Sequence, residues 1–360
     1  MGLLDRLKKR NLGSDSGKFE DGPVEGFVES APEEELSSFF LQIDDETLTP
    51  SGLYPHEVLI LDQASSFYTD QGDFPSFWRQ RYGILHMPLS LSLLVSRGLL
   101  AEASLEAAME RTTVVGLRAV LKANGLRVGG KKAELIARLF ENLSPERLDV
   151  HFPRRSFVLT EAGIQALGEA PYIPYLHTFP VEGLTIWDLH RQVLANPGKP
   201  YRELILAHLE EASQAGLEGG DYAAYRALRY RMYQFFMEEN KLKKAFPFLS
   251  EVIYCDLSGA ASGFDPLYRY ISEKYFFPYD TSSLRLSAGV IRAMGRLQED
   301  LHLSEEMLGS LLLQFFQRCS LPFHLFSKKE CAIIVVLELR GDTERLRQLY
   351  QMAESRFGKG

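Results

Sequence analysis

The chain has 360 residues, 45% of them hydrophobic and 24% charged, with a formal net charge of −8. That balance is ordinary for a soluble globular protein of two or three domains and excludes a low-complexity or collagen-like chain. No run of eighteen apolar residues occurs, which argues against a membrane span, and Met1–Arg10 is too short and too charged for a secretory signal.

Charge is unevenly spread. The first fifty residues hold five basic against twelve acidic side chains, a net of −7, while Arg111 to Leu148 holds eight basic against three acidic, a net of +5. Residues 181–360 are nearly balanced at −1. Positive charge is thus concentrated in one short stretch of an acidic protein.

In chain order, residues 1–40 combine Gly-Ser-Asp-Ser-Gly, Asp-Gly-Pro and Glu33-Glu34-Glu35 with little periodicity, and a disordered acidic tail is expected there. From Pro55, the spacing of Val58, Leu61, Ala64 and Phe67 predicts a helix. Phe77, Trp78 and Tyr82 predict a short helix ending at Gly83, and Leu91, Leu94 and Val95 a third, over about Pro88 to Arg97, capped by Gly98. Leu99-Leu100 reads as extended, as does Ser156 to Thr160, which leads into a helix through Ile164 and Leu167.

Ser96-Arg97-Gly98-Leu99-Leu100 and Phe157-Val158-Leu159-Thr160-Glu161-Ala162-Gly163 are similar to the pieces flanking the wing of bacterial winged-helix proteins. The resemblance implies a winged-helix-like domain over 41–110 and 150–180, with the basic module, 111–149, inserted in the wing. In such a fold the third helix reads the major groove. Here His86 to Arg97 offers one arginine and no Asn, Gln or Lys, so a scaffolding role fits better than base readout.

Within the basic window, Thr112 or Thr113 supplies an N-cap hydroxyl. Val114, Leu117, Val120 and Leu121 give one apolar face, and Asn124-Gly125 supplies a left-handed reversal. Leu126 and Val128 are expected to plug the turn, and Leu135, Ile136 and Leu139 to form the apolar face of a second helix. Gly129 and Gly130 leave backbone N–H groups open beside Lys131 and Lys132, where a helix N-terminus favours phosphate.

The whole stretch from Thr112 to Leu139 resembles the SAP family of nucleic-acid-binding helix–loop–helix modules, within uncharacterised SAP-containing proteins of bacteria and phages. It departs at Gly129, where the family more often carries Ser or Thr, so a helix-capping hydroxyl is expected to be missing. The resemblance implies DNA binding, often to A·T-rich duplex and less often RNA, with Lys131, Lys132, Gly130, Arg127, Arg118, Lys122 and Arg138 as the backbone-contacting residues. Arg154 and Arg155 could add contacts near the wing.

Residues 181–360 are expected to be an irregular, TPR-like α-helical region. Tyr225, Leu228, Tyr233, Phe236 and Met237 form one stripe, leading through Asn240-Lys241 to a helix with Phe248, Val252 and Ile253. A second pair joins Lys328–Arg340 to Thr343–Ala353 across Gly341-Asp342. Such helices suit a protein partner, so the competing reading is an interaction scaffold whose basic hairpin is only structural.

No His-Glu-x-x-His, Walker loop, Gly-x-Ser-x-Gly or dinucleotide fingerprint occurs. Tyr54-Pro55-His56-Glu57 places His and Glu on different helix faces, which suits capping better than catalysis. Cys255, Cys319 and Cys331 are too scattered for a disulfide framework or a thiolate metal site and are expected to be buried free thiols in a reducing, cytoplasmic setting. The expectation is a mainly α, non-enzymatic protein with no catalytic residue, metal or cofactor and no membrane contact.

Overall fold

Pro55 has the fixed φ that suits a first helical position, and α1 (Pro55–Gln63) starts there and tightens into a 3-10 turn at Ala64–Ser66. The computed structural model describes residues 48–262, 274–321 and 324–357, so the acidic tail expected over 1–40 lies outside the described residues. Helices α2 (Phe77–Tyr82) and α3 (Met87–Ser96) end where Gly83 and Gly98 take positive φ, a conformation that costs glycine little.

Strand β1 (Leu100–Glu102) pairs antiparallel with β2 (Phe157–Leu159), with Leu100 opposite Leu159 and Glu102 opposite Phe157. Among the described residues this is the one sheet; the fold is otherwise mainly α. Four helices lie in the chain between its two strands: α4 (Leu105–Arg111), α5 (Val114–Ala123), α6 (Lys132–Asn142) and α7 (Pro145–His151). The ribbon's exit is tightly packed. Thr160 Oγ1 donates to the Gly98 carbonyl at 2.7 Å and accepts the Gly163 N–H, which starts α8 (Glu161–Glu169). A Cβ at residue 163 would stand 2.2 Å from the Leu99 carbonyl oxygen, so only glycine fits there.

The rest is helical: α9 (Tyr172–Thr178), α10 (Ile186–Ala195), α11 (Tyr201–Glu218), α12 (Tyr222–Glu238), α13 (Leu242–Ser258), α14 (Ala288–Asp300), α15 (Glu305–Arg318), α16 (Lys328–Arg340) and α17 (Thr343–Phe357). The α12–α13 hairpin turns through Asn240 and the α16–α17 hairpin through Gly341, both at positive φ. No described helix is long and apolar enough to cross a membrane.

Three apolar cores follow from this order. One joins α1–α3 and the ribbon to α9–α12, through Leu59, Leu94, Ile173, Leu189, Ile205 and Phe235, so packing continues across residue 180. A second fills the C-terminal helices around Leu249, Ile253, Leu312 and Tyr350; Phe248 packs against both. The third belongs to α4–α7 alone. The three thiols are free; Cys255 and Cys331 are buried in α13 and α16. Cys319 departs from expectation: it caps the end of α15, is only half-buried, and burial pushes its thiol up to about 12.

Candidate nucleic-acid interface

The third core is small: Met109, Leu117, Leu121, Leu135, Ile136, Leu139, Leu143, Leu148 and Phe152, with Val114, Val120 and Leu126 partly buried against it. Such a unit depends on its local turns being well made. Of the two candidate capping residues Thr113 serves, accepting the Gly116 N–H at 3.2 Å, while the Thr112 hydroxyl donates to the Ala108 carbonyl. Helix α5 ends in a Schellman reversal: the Leu126 N–H reaches the Leu121 carbonyl at 2.9 Å and the Gly125 N–H that of Lys122 at 3.1 Å, with Gly125 at φ +70°. Leu126 alone plugs this turn. Val128, expected to share that task, is 41% exposed because it follows the reversal onto the open side of the loop.

Helix α6 begins two residues later than a cap at Gly129 would place it. Its N-cap is Lys131, so a hydroxyl at residue 129 would not lie at the cap, and its absence removes no capping bond. The cap comes instead from Glu134, whose carboxylate accepts the Lys131 N–H at 3.2 Å. A lysine side chain has no acceptor to complete the reciprocal half of a capping box. Gly130 sits at φ +129°, and a Cβ there would lie 2.5 Å from Glu134 Oε2. Neither the Gly129 nor the Gly130 N–H donates to a protein group among the described residues.

The basic residues divide into two groups. Arg138 Nη1 donates to the Arg127 and Gly129 carbonyls at 2.7 and 3.0 Å and braces the loop from within. Lys132 Nζ donates back to the Glu110 carbonyl, tying α6 to α4. Arg147 holds Asn124 Oδ1 at 3.1 Å, while Asn124 Nδ2 donates to the Val120 carbonyl and faces His151 Nε2. Arg111 donates to the Ser65 and Ser66 carbonyls and lies 4.8 Å from the Tyr68 ring centre, fastening the module to the turn after α1.

Arg118, Lys122, Arg127 and Lys131 form the second group. All four are exposed, and none has a side-chain hydrogen bond or ion pair among the described residues. Arg118 and Lys122 are four apart on α5 and share a face. Arg127 lies over the loop: a Cβ at residue 129 would come 3.9 Å from its Nε. Outside the module, Arg154 is paired with Asp70 at 3.1 Å and Arg155 with Asp149, which neutralises both of the extra contacts that the sequence suggested.

Helix α3 carries no free cation. Arg97, beside its end, is held by Glu57 at 3.4 Å and by the Gly52 carbonyl at 2.7 Å. Its exposed side chains are mostly apolar, with Leu89 and Leu93 each more than 40% exposed, and the hydroxyls of its exposed Ser92 and Ser96 already donate to the Pro88 and Leu93 carbonyls.

Sequence reasoning missed Glu134 as the cap and Asn124 as the joint between α5 and α7. The signal for the first was present as Glu three residues beyond Lys131; the second depends on α7, which no motif announced.

Residues 110–143 match the SAP domain, which covers α5, α6 and the loop between them. A SAP domain suggests nucleic-acid binding in a general sense. No curated protein and no solved structure matches the chain.

Proposed function

We propose that this chain is a non-enzymatic DNA-binding protein that docks on the phosphate backbone through residues 110–143. One observation carries the reading: four exposed, unpartnered cations (Arg118, Lys122, Arg127 and Lys131) gather on a module that matches the SAP domain. Gly130 lets the backbone approach closely beside them, while Lys132 and Arg138 hold the frame. Helices α1–α3 and the β1–β2 ribbon act as a winged-helix-like scaffold that presents the module, and the C-terminal helices engage a protein partner. The setting is cytoplasmic, and no cofactor takes part.

Four cations neutralise at most about four phosphates, which gives a log–log salt slope of about −3 to −4 and weak binding at physiological salt. The test is fluorescence anisotropy on an A·T-rich duplex, with salt stepped from about 50 to 200 mM. Arg127→Glu/Lys131→Glu should abolish salt-sensitive binding without unfolding the chain. An RNA duplex run in parallel decides the nucleic acid. Binding that is absent even at low salt would reduce the module to a structural hairpin.

A further inference from the structure

Helices α12 and α14, with Phe179, enclose a groove of about 530 Å³. Its charges do not balance. Glu238 is fully engaged, accepting from Tyr175 Oη at 2.7 Å, Arg231 Nη1 at 3.0 Å and Arg202 Nη2 at 3.2 Å. Arg231 Nη2 donates as well to Tyr175 Oη at 3.1 Å. Arg292 and Arg296 are different. They stand four apart on one face of α14, exposed, with no hydrogen bond or ion pair among the described residues. Two like charges in that spacing oppose helix stability by a few tenths of a kcal/mol. A counter-ion that bridges them removes the opposition.

We infer that this groove binds a carboxylate-rich peptide segment of a partner protein, with Arg292 and Arg296 as its anchors. Guanidinium groups take carboxylates two-pronged, and neighbours four apart on a helix match the spacing of acidic side chains along a peptide. The exposed Gln234 amide is placed to hydrogen-bond the peptide backbone, and half-buried Met237 beside buried Ala293 gives an apolar floor for interleaved aliphatic residues. Single-stranded nucleic acid is the less suitable ligand, because it needs open ring faces for stacking. Here Arg231 already lies 5.3 Å from the Phe179 ring centre and Arg226 5.6 Å from that of Tyr230. The inference deepens the partner half of the proposed function and is independent of its DNA-binding half.

The experiment uses the full chain and a fluorescein-labelled peptide of repeating Glu-Asp-Leu at about 50 mM salt, where surface charges are little screened. Saturable binding is expected, weakened at least about tenfold by Arg292→Glu/Arg296→Glu and several-fold by Gln234→Ala. Arg292→Gln/Arg296→Gln repeats the test without reversed charge, and thermal melts check that each variant folds. Duplex-DNA binding should survive in all three variants, so loss of one activity is distinguishable from loss of the other. Peptide binding that is absent, or unchanged in the arginine variants, overturns the inference. So does a thymidine oligonucleotide of equal charge that binds at Arg292 and Arg296 more tightly than the peptide.

Discussion

The Glu134 carboxylate accepts the Lys131 N–H at 3.2 Å and stands over Gly130, so the start of α6 carries an anion of its own. A phosphate approaching that helix end would meet the same Lys131 N–H and the same positive dipole that hold Glu134. The carboxylate therefore shapes the loop and, on the proposed reading, would compete with a phosphate for the same position.

The two roles separate by substitution. Glu134→Gln keeps an acceptor for the Lys131 N–H and removes the charge, so duplex affinity at low salt should rise about two- to fivefold. Glu134→Ala loses the cap and should destabilise the module by about 0.5–2 kcal/mol. Anisotropy titrations beside urea unfolding read both effects. Affinity that falls in Glu134→Gln would show that the carboxylate acts only through loop shape.

Gly130→Ala tests the loop itself. The backbone sits at φ +129°, where a side chain is strained, and the added Cβ would also push Glu134 away. The expected cost is about 1–3 kcal/mol, read by urea unfolding or as faster amide exchange in α6. Gly129→Ala, at an ordinary backbone angle with open surroundings, should cost far less.

The basic residues should divide under alanine substitution as they divide in space. Arg127→Ala and Lys131→Ala each remove an exposed, unpartnered cation, so each should flatten the salt slope by about one and leave stability within about 0.5 kcal/mol. Arg138→Ala withdraws the donor that serves the Arg127 and Gly129 carbonyls and should cost about 1–2 kcal/mol of stability. Equal effects of all three on binding and none on stability would return Arg138 to the contact surface.

Much of this was legible locally. Gly83, Gly98, Gly125 and Gly341 mark chain reversals because positive φ selects glycine at a helix end. The α16–α17 pair was visible because a long apolar period is broken by a single Gly-Asp turn. What stayed hidden depends on contacts distant in sequence or on carbonyls. Nothing at Lys132 or Arg138 announces that their donors turn inward, since the acceptors are backbone oxygens, that of Glu110 in α4 for Lys132 and those of Arg127 and Gly129 in the loop for Arg138. Strands of three residues carry no usable period, so β1 and β2 were readable only from the phrases around them. The pairing of Arg154 with Asp70 spans 84 positions and leaves no trace in either neighbourhood.

The last expectation concerns pH. His56 lies 8% exposed in α1, its ring 5.8 Å from that of Tyr54 and 5.4 Å from that of Trp187, and burial lowers its pKa from 6.5 to about 4. The neutral ring is the form the fold accepts. Above pH 6.5 both folded and unfolded chains hold it neutral, and its full contribution to stability is present. As pH falls below 6.5 the unfolded chain takes up a proton that the folded chain refuses, and stability drops until the folded pKa of about 4 is passed. At 1.36 kcal/mol per unit the loss is about 3 kcal/mol across that window. His177, lowered by its own burial and by the Arg81 charge, adds a slope of the same sign. Urea midpoints at pH 7, 5.5 and 4.5 should therefore fall more steeply for the wild type than for His56→Phe, which fills the site without titrating. Parallel curves would place the acid sensitivity elsewhere in the chain.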